Sequence, residues 1–398
     1  MSISISYSHK IDARYILDGE EEIILPESIT SLVINYDYDK NNIPIIYMGV
    51  RLETSLYNKM VTNTEKGVIV LTISKSKNNT NNSVYTNIIQ NRFNYMMSTN
   101  PDYNSKMEKD TDTDNRLAFN CKEGFICLIQ EDSTDNNKKI MNDIIKNSNM
   151  GSIIHKFTSH MKMVMEPLHV NKKFNFLIIP PLESVSRLLR YLNKQSVFYR
   201  EGYRYFVDFN KTYLLSEEGN AVDARDGSYP TVLVNITEPT SELGAQTGIV
   251  TDRKNKAYVL NVNANITSVD IKKSEEKIFN KIIGVNTFGE TKELNLDIHR
   301  TEGSSDKVRL ERVPYDNMEY LDYLKNRIEN SIISLHVTKT EIDSSLITPN
   351  KEYIVRNYPS FSEYNGRYVL SYKKEALLNQ NGVFINSLIF GLRKVKDR

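Results

Sequence analysis

The sequence predicts an α+β fold that is mostly β, two tandem β-barrel-like domains with a helical insert between their strands. Three observations carry this reading. Short apolar runs alternate with turn residues at both ends of the chain, the apolar period lengthens to three and four residues between about 136 and 195, and the run Pro180–Ser216 passes from helix to paired strands.

Taken in order, residues 1–75 hold strand candidates at Ile3–Ile5, Tyr15–Leu17, Glu22–Leu25, Ser31–Tyr36, Ile43–Val50 and Gly67–Ile73. Asp18–Gly19, Pro26, Asp37–Asn42 and Asn63–Lys66 separate them as turns do. Strands this short and this closely spaced suit a barrel or a sandwich. Pro44 lacks the N–H that an internal ladder position uses, so the run containing it is expected at an edge. The Glu20–Glu22 run reads as a solvated turn beside Gly19. Residues 75–118 are polar and Asn-rich, a loop excursion with a short helix expected over Val84–Met97, and strand character resumes over Leu117–Ile129.

From Asn136 the spacing of Ile140, Ile144 and Ile145 predicts a helix ending near Ser148–Asn149. A second helix opens at Gly151, with Ile153, Ile154, Phe157, Met161 and Val164 on its inner face, and Pro167 closes it. After Pro180–Pro181, Leu182, Val185, Leu188, Leu189 and Leu192 form one apolar stripe of a third helix that ends near Gln195. Arg187, Arg190 and Lys194 fall on another face. Phe198, Tyr199, Tyr203, Tyr205 and Phe206 then give strand composition, with Tyr205–Val207 and Thr212–Leu215 paired across a turn at Asp208–Lys211.

Further strands are expected at Thr231–Ile236, Gly248–Val250, Ala257–Val262, Lys277–Thr287 and Leu294–His299, and a helix over Met318–Ser334. From His336 to Phe390 the chain returns to short strands and ends in a basic tail. The domains expected are residues 1–130, a barrel-like unit; 131–200, a mainly helical insert; 201–265, hairpins completing or bridging the barrels; and 266–398, a second barrel-like unit with one helix.

Composition narrows the function. With 51 basic and 50 acidic residues the formal charge is +1, so no whole-molecule field draws the protein to nucleic acid or an anionic membrane. No apolar run approaches the roughly 20 residues that span a bilayer, and MSISISYSHK lacks signal-peptide order, so folding in a cytoplasm is expected. Two cysteines are too few for a disulfide framework. Tyr (24) outnumbers Phe (14), and a rigid ring with a polar tip suits subunit contacts.

Motifs for chemistry are sparse. Asp110, Asp112 and Asp114 begin like a calcium loop, but Asn115 stands where the turn needs Gly and Cys121 where the metal needs Glu. His155 and His160 are five apart and fall on different helix faces. Cys121 and Cys127 lack zinc-knuckle spacing, and neither a nucleophile elbow, a P-loop nor a dinucleotide fingerprint occurs. No catalytic, metal or cofactor site is therefore expected. Arg187, Arg190, Lys194, Tyr199, Tyr203 and Tyr205 make the one basic and aromatic constellation, expected as a subunit interface. Nucleic-acid stacking is the competing use of such residues.

The series Leu177–Ile179, Pro180–Pro181, Leu182–Leu192, Phe198–Tyr199, Tyr203–Asp208 and Tyr213–Leu215 resembles the central part of the baseplate hub proteins of contractile-tailed bacteriophages. Thr348–Pro349–Asn350, Tyr353–Val355, Gly366–Tyr368 and Gly382–Phe384 are similar to the C-terminal barrel of that group. The resemblance covers about half the chain. It implies a homotrimeric ring of tandem β-barrels in the virion tail, a non-enzymatic adaptor between tail tube, baseplate wedge proteins and central spike, with the tape measure protein a further neighbour. It also implies a channel through which the genome passes without sequence-specific contact. Two alternatives stand beside it: a tail-tip cell-wall hydrolase using Cys121 and a histidine or a carboxylate pair, and a glycan- or receptor-binding tail module with solvent-open tyrosines.

Overall fold

A computed structural model describes residues 6–39, 43–78, 85–99, 121–131, 141–200, 202–209, 211–220, 222, 229–237, 248–263, 269–273, 280–286, 288–296, 308–313, 321–322, 324–325, 331–337, 343–357, 362, 364–380 and 383–395. The expected strand Ile3–Ile5, the Asp110–Asp114 loop and His299 lie outside these residues.

The N-terminal third folds as β1 (Ser6–Leu17), β2 (Glu20–Ile24), β3 (Ile29–Asp37), β4 (Ile45–Glu53), helix α1 (Thr54–Thr62), β5 (Val68–Asn78), β6 (Tyr85–Thr99) and β7 (Cys121–Gln130). Asp18 and Gly19 both take positive φ, which lets two residues reverse β1 into β2. In β3 Leu32, Ile34 and Tyr36 are buried while Ser31, Val33 and Asn35 lie outward, the period of two that places one face on a core.

These strands do not close by themselves. The last two, β22 (Gly366–Gln380) and β23 (Val383–Lys394), pair with each other, with β3 and with β1. The antiparallel ring runs β22, β3, β4, β7, β6, β5, β1, β23 and back to β22. Closure removes the free edges that an open sheet of this length would expose. This ring therefore takes strands from both the 1–130 and the 266–398 segments. Tyr372 folds its ring over Gly391, where a methyl group would collide with it, and Tyr15 uses Gly67 in the same way.

Beyond the ring the same sheet continues through β21 (Glu352–Asn357) to β13 (Thr231–Thr237), β15 (Ala257–Asn263) and β14 (Gly248–Asp252). On its other side it continues through β20 (Ser331–Val337) to β16 (Val269–Lys273). β13 is parallel to both β15 and β21. One core of buried Ile, Leu, Val, Phe and Tyr runs from the ring into this extension. A small separate sheet, β17 (Lys281–Val285), β18 (Thr291–Asn295) and β19 (Val308–Arg312), packs Ile282 on Val313, Leu321 and Leu324.

The segment 131–200 carries a second core. It holds β8 (Met141–Asn149), α2 (Met150–Thr158), β9 (Met163–Met165), β10 (Lys173–Leu182) and α3 (Val185–Gln195). Among the described residues β8 pairs only with β10, while β9 lies parallel to β12 (Thr212–Ser216), which pairs with β11 (Tyr203–Val207). Ile153 and Ile154 of α2 and Val185, Leu188, Leu189 and Leu192 of α3 are all buried in this core.

Five expectations are corrected. Ile144 and Ile145, expected in a helix, belong to strand β8, because adjacent isoleucines fit either period and the apolar run of β10 supplies a ladder; Ile140 lies outside the described residues. From Tyr85 the helix expected over Val84–Met97 is strand β6, with Phe93 and Tyr95 buried between exposed Arg92, Asn94 and Met96, and Val84 lies outside the described residues. The helix expected through Ser334 gives way to β20 from Ser331, though Leu321 and Leu324 are buried as its stripe required. Met161 and Val164 lie past α2, and Val164 belongs to β9. Pro44 precedes β4 rather than sitting in it, so β4 is an internal strand between β3 and β7.

Candidate functional site

The basic and aromatic constellation is built on α3. Ser184 caps its start by accepting from the Arg187 N–H at 3.2 Å, and the Ser196 N–H closes its end on the Leu192 carbonyl at 3.0 Å. Tyr191 donates to the Ile178 carbonyl at 2.6 Å and fastens the helix to β10. With the apolar stripe facing inward, Arg187, Arg190 and Lys194 are left exposed, and Arg187 pairs with Glu183 at 2.5 Å.

The tyrosines divide. Tyr199 is fully buried and donates to the Glu166 carbonyl at 2.5 Å, with its ring edge-on to His169 and Phe198. Tyr205 is buried in the same core, and burial raises its phenol pKa. Tyr203 is half-buried at the rim. Burial pushes its pKa up to about 12, opposed by the nearby Arg190 guanidinium. Thus four of the six residues, Arg187, Arg190, Lys194 and Tyr203, reach the surface, and Tyr199 and Tyr205 pack the chain's own interior. Neither buried ring is a solvent-open stacking platform.

Sequence reasoning missed a second feature, a line of buried charges. Arg393 of β23 bonds Glu217 and, at 3.3 Å, Asp39, whose carboxylate also accepts from Ser371 at 2.5 Å. Next along the barrel wall, Lys373 pairs with Glu375 at 2.9 Å and lies 4.3 Å from the centre of the Tyr36 ring. Ser344 donates to Glu375 at 2.9 Å, and Lys75 pairs with Asp343. Arg204 donates to the Leu370 carbonyl at 2.9 Å. The only sequence signal was charge at inward strand positions, Lys373, Glu375 and Arg393, where period two demands apolar residues.

Arg204, Glu217, Lys373, Glu375 and Arg393 are buried, Lys75 and Asp343 are half-buried beside them, and each of the acids and bases just named has an opposite charge or a carbonyl as partner. Removing either side of such a pair strands a charge, so the network fixes strand positions. His9 lies beside it, 3% exposed, and its pKa is lowered to about 4, first by burial and secondarily by Lys75, against the pull of Glu375 and Asp343. It is neutral at pH 7. Burial likewise raises the Asp208 carboxyl. Serine activation would need a base facing Ser344, but its hydroxyl faces Glu375, already held by Lys373.

The cysteines are half-buried on the barrel wall, Cys121 opposite Glu53 and Cys127 opposite Tyr47, while His155 and His160 are exposed on α2 and the turn after it. Burial pushes the Cys127 thiol pKa up, away from a nucleophile's range. Among the described residues no group of three His, Cys, Asp or Glu gathers as metal ligands do. No described helix is long and apolar enough to cross a membrane.

Residues 2–395 match the family model described as "Bacteriophage PBS1 gene 109 protein". No curated protein matches the chain. Among solved structures it is similar to the 43 kDa tail protein of prophage MuSo2 from Shewanella oneidensis, at 10% identity and a TM-score of 0.50, over 95% of this chain and 96% of that one. It is also similar to the tail protein from Neisseria meningitidis MC58, at 10% identity and a TM-score of 0.49, over 97% and 96%. The E. coli c3393 protein, a type VI secretion component, follows at 7% identity and a TM-score of 0.40, over 93% and 74%. At these identities what is shared is fold, and the MuSo2 tail protein carries that statement.

Proposed function

This chain belongs to the family of the bacteriophage PBS1 gene 109 protein, and from that membership we propose that it is a structural protein of the tail, the hub adaptor of the baseplate. In this reading three copies form a ring around the genome channel. The ring joins the tail tube and the surrounding wedge proteins to the central spike, and meets the tape measure protein on the axis. No step of bond making is assigned to the chain.

The observation that carries the reading is a fold of tail-protein type running through 95% of the chain. The buried charges support it. Arg393 of β23 ties down Asp39, just past β3, and Glu217, just past β12, while Lys373 and Glu375 pair within β22; these charges are mutually paired, as in a wall that must keep its shape under load, rather than converging on a cleft.

Locating the chain in purified tails tests the proposal. Labelled antibody against it should mark the baseplate end, and light scattering on the isolated chain should give the mass of three copies. A chain absent from tail particles and monomeric at every concentration would overturn it.

A further inference from the structure

The outer wall of the barrel carries an uncovered apolar face. Two rows of side chains cross five neighbouring strands, β22, β3, β4, β7 and β6. In one row Val33, Tyr47, Cys127 and Met96 stand side by side, and in the next the exposed Leu378 and Phe125 flank half-buried Ser31 and buried Gly49. Tyr47 is 40% exposed, Met96 61%, Phe125 51% and Leu378 50%. At about 4.8 Å between strands the face is roughly 20 Å wide, the size of the apolar centre of a standard interface. Lys374 borders it on one side, and Arg51 opposite Glu123 on the other. A rim of both signs on a chain of net charge +1 selects neither a polyanion nor a polycation.

The same chain holds a second face of matching chemistry. On the β8–β10 ribbon Ile178 stands opposite Ile144, and Phe176 opposite Lys146. Ile144, Phe176 and Ile178 are all more than half exposed, while Ile145 and Leu177 behind them close on α2 and α3. An isolated two-stranded ribbon with an apolar outer face is an incomplete layer.

We infer that these two faces belong to one interface: the barrel face of one copy is covered by the β8–β10 face of the next. Two different patches on one chain make a head-to-tail contact, the kind that closes identical subunits into a ring. A second copy brings both the apolar cover and the near-neutral charge that the rim admits. The inference rests on the ring proposed above and assigns its contact.

Two full-length double variants test it, Y47K/F125K on the barrel and F176K/I178K on the ribbon. All four side chains are partly or largely exposed, so both variants should keep the parent's far-UV circular dichroism spectrum. Each alone should fail to form rings, its self-association weakened roughly 30-fold or more, as loss of a central apolar contact implies. Mixed in equal amounts they should stop at a dimer, because one intact pair of faces remains. Cys127 should be alkylated more slowly in the assembled parent than in F176K/I178K, whose barrel face is unaltered, with Cys121 as internal reference. If the parent forms rings and either variant also forms them, the assigned faces are wrong and the ring stands. If the parent never associates, ring and faces fall together.

Discussion

The barrel and the 141–200 segment solve the same problem to different degrees. In the barrel each of eight strands has partners on both edges, and the inner face is filled by residues such as Ile46, Met48, Leu71 and Phe93 at or near zero exposure. In the 141–200 segment β8 and β10 pair only with each other among the described residues, and two helices cover only one side of the ribbon. The closed ring shares one continuous core with the strands that extend it. The ribbon leaves Ile144, Phe176 and Ile178 facing water.

The sharpest way to break this comparison is inside the wall. Arg393→Met removes the cation bonded to both Glu217 and Asp39, two carboxylates largely out of water. It should destabilise the fold by about 3–5 kcal/mol, read as a large drop in melting temperature. The second core should be nearly as sensitive. Leu188→Ala in α3 removes a fully buried side chain and should cost about 2–5 kcal/mol in a denaturant melt. If it proved silent, the 141–200 segment would not be packed as described.

A third test titrates the barrel end. His9 has a folded pKa of about 4, below its ordinary value of 6.5, so the unfolded chain binds the extra proton more readily. Stability from this group is fully present above about pH 6.5 and is lost as pH falls toward 4. His9→Gln should flatten the melting temperature across that window, an effect on the order of 2–3 kcal/mol. Smaller again, Ser184→Ala removes the cap of α3 and should cost about 1 kcal/mol. Smallest of all, Glu183→Gln breaks an exposed pair with Arg187 and should shift stability by less than about 0.5 kcal/mol.

What the sequence showed and hid follows the same division. Alternation in β3, the α3 stripe and the Tyr205–Leu214 pairing were readable because burial on one face leaves a period, and the period survives in any context. β8 was misread because two adjacent isoleucines fit helix and strand alike until β10 is known to lie beside them. Ring closure was not legible at all. The seam between β1 and β23, where His9 faces Phe384, joins residues at opposite ends of the chain. Of the six candidate interface residues, the arginines and Lys194 could be placed outward from helical spacing. Tyr199 and Tyr205 could not be placed, since a tyrosine suits a core with one carbonyl partner as well as it suits a wet interface.

A reconstruction of the intact baseplate by electron cryomicroscopy tests the central claim most directly. It should show three copies of the chain around the tail axis, with Tyr47 and Phe125 of each in contact with Phe176 and Ile178 of its neighbour. A map that places the chain off the axis, or leaves both faces open to solvent, would contradict the account.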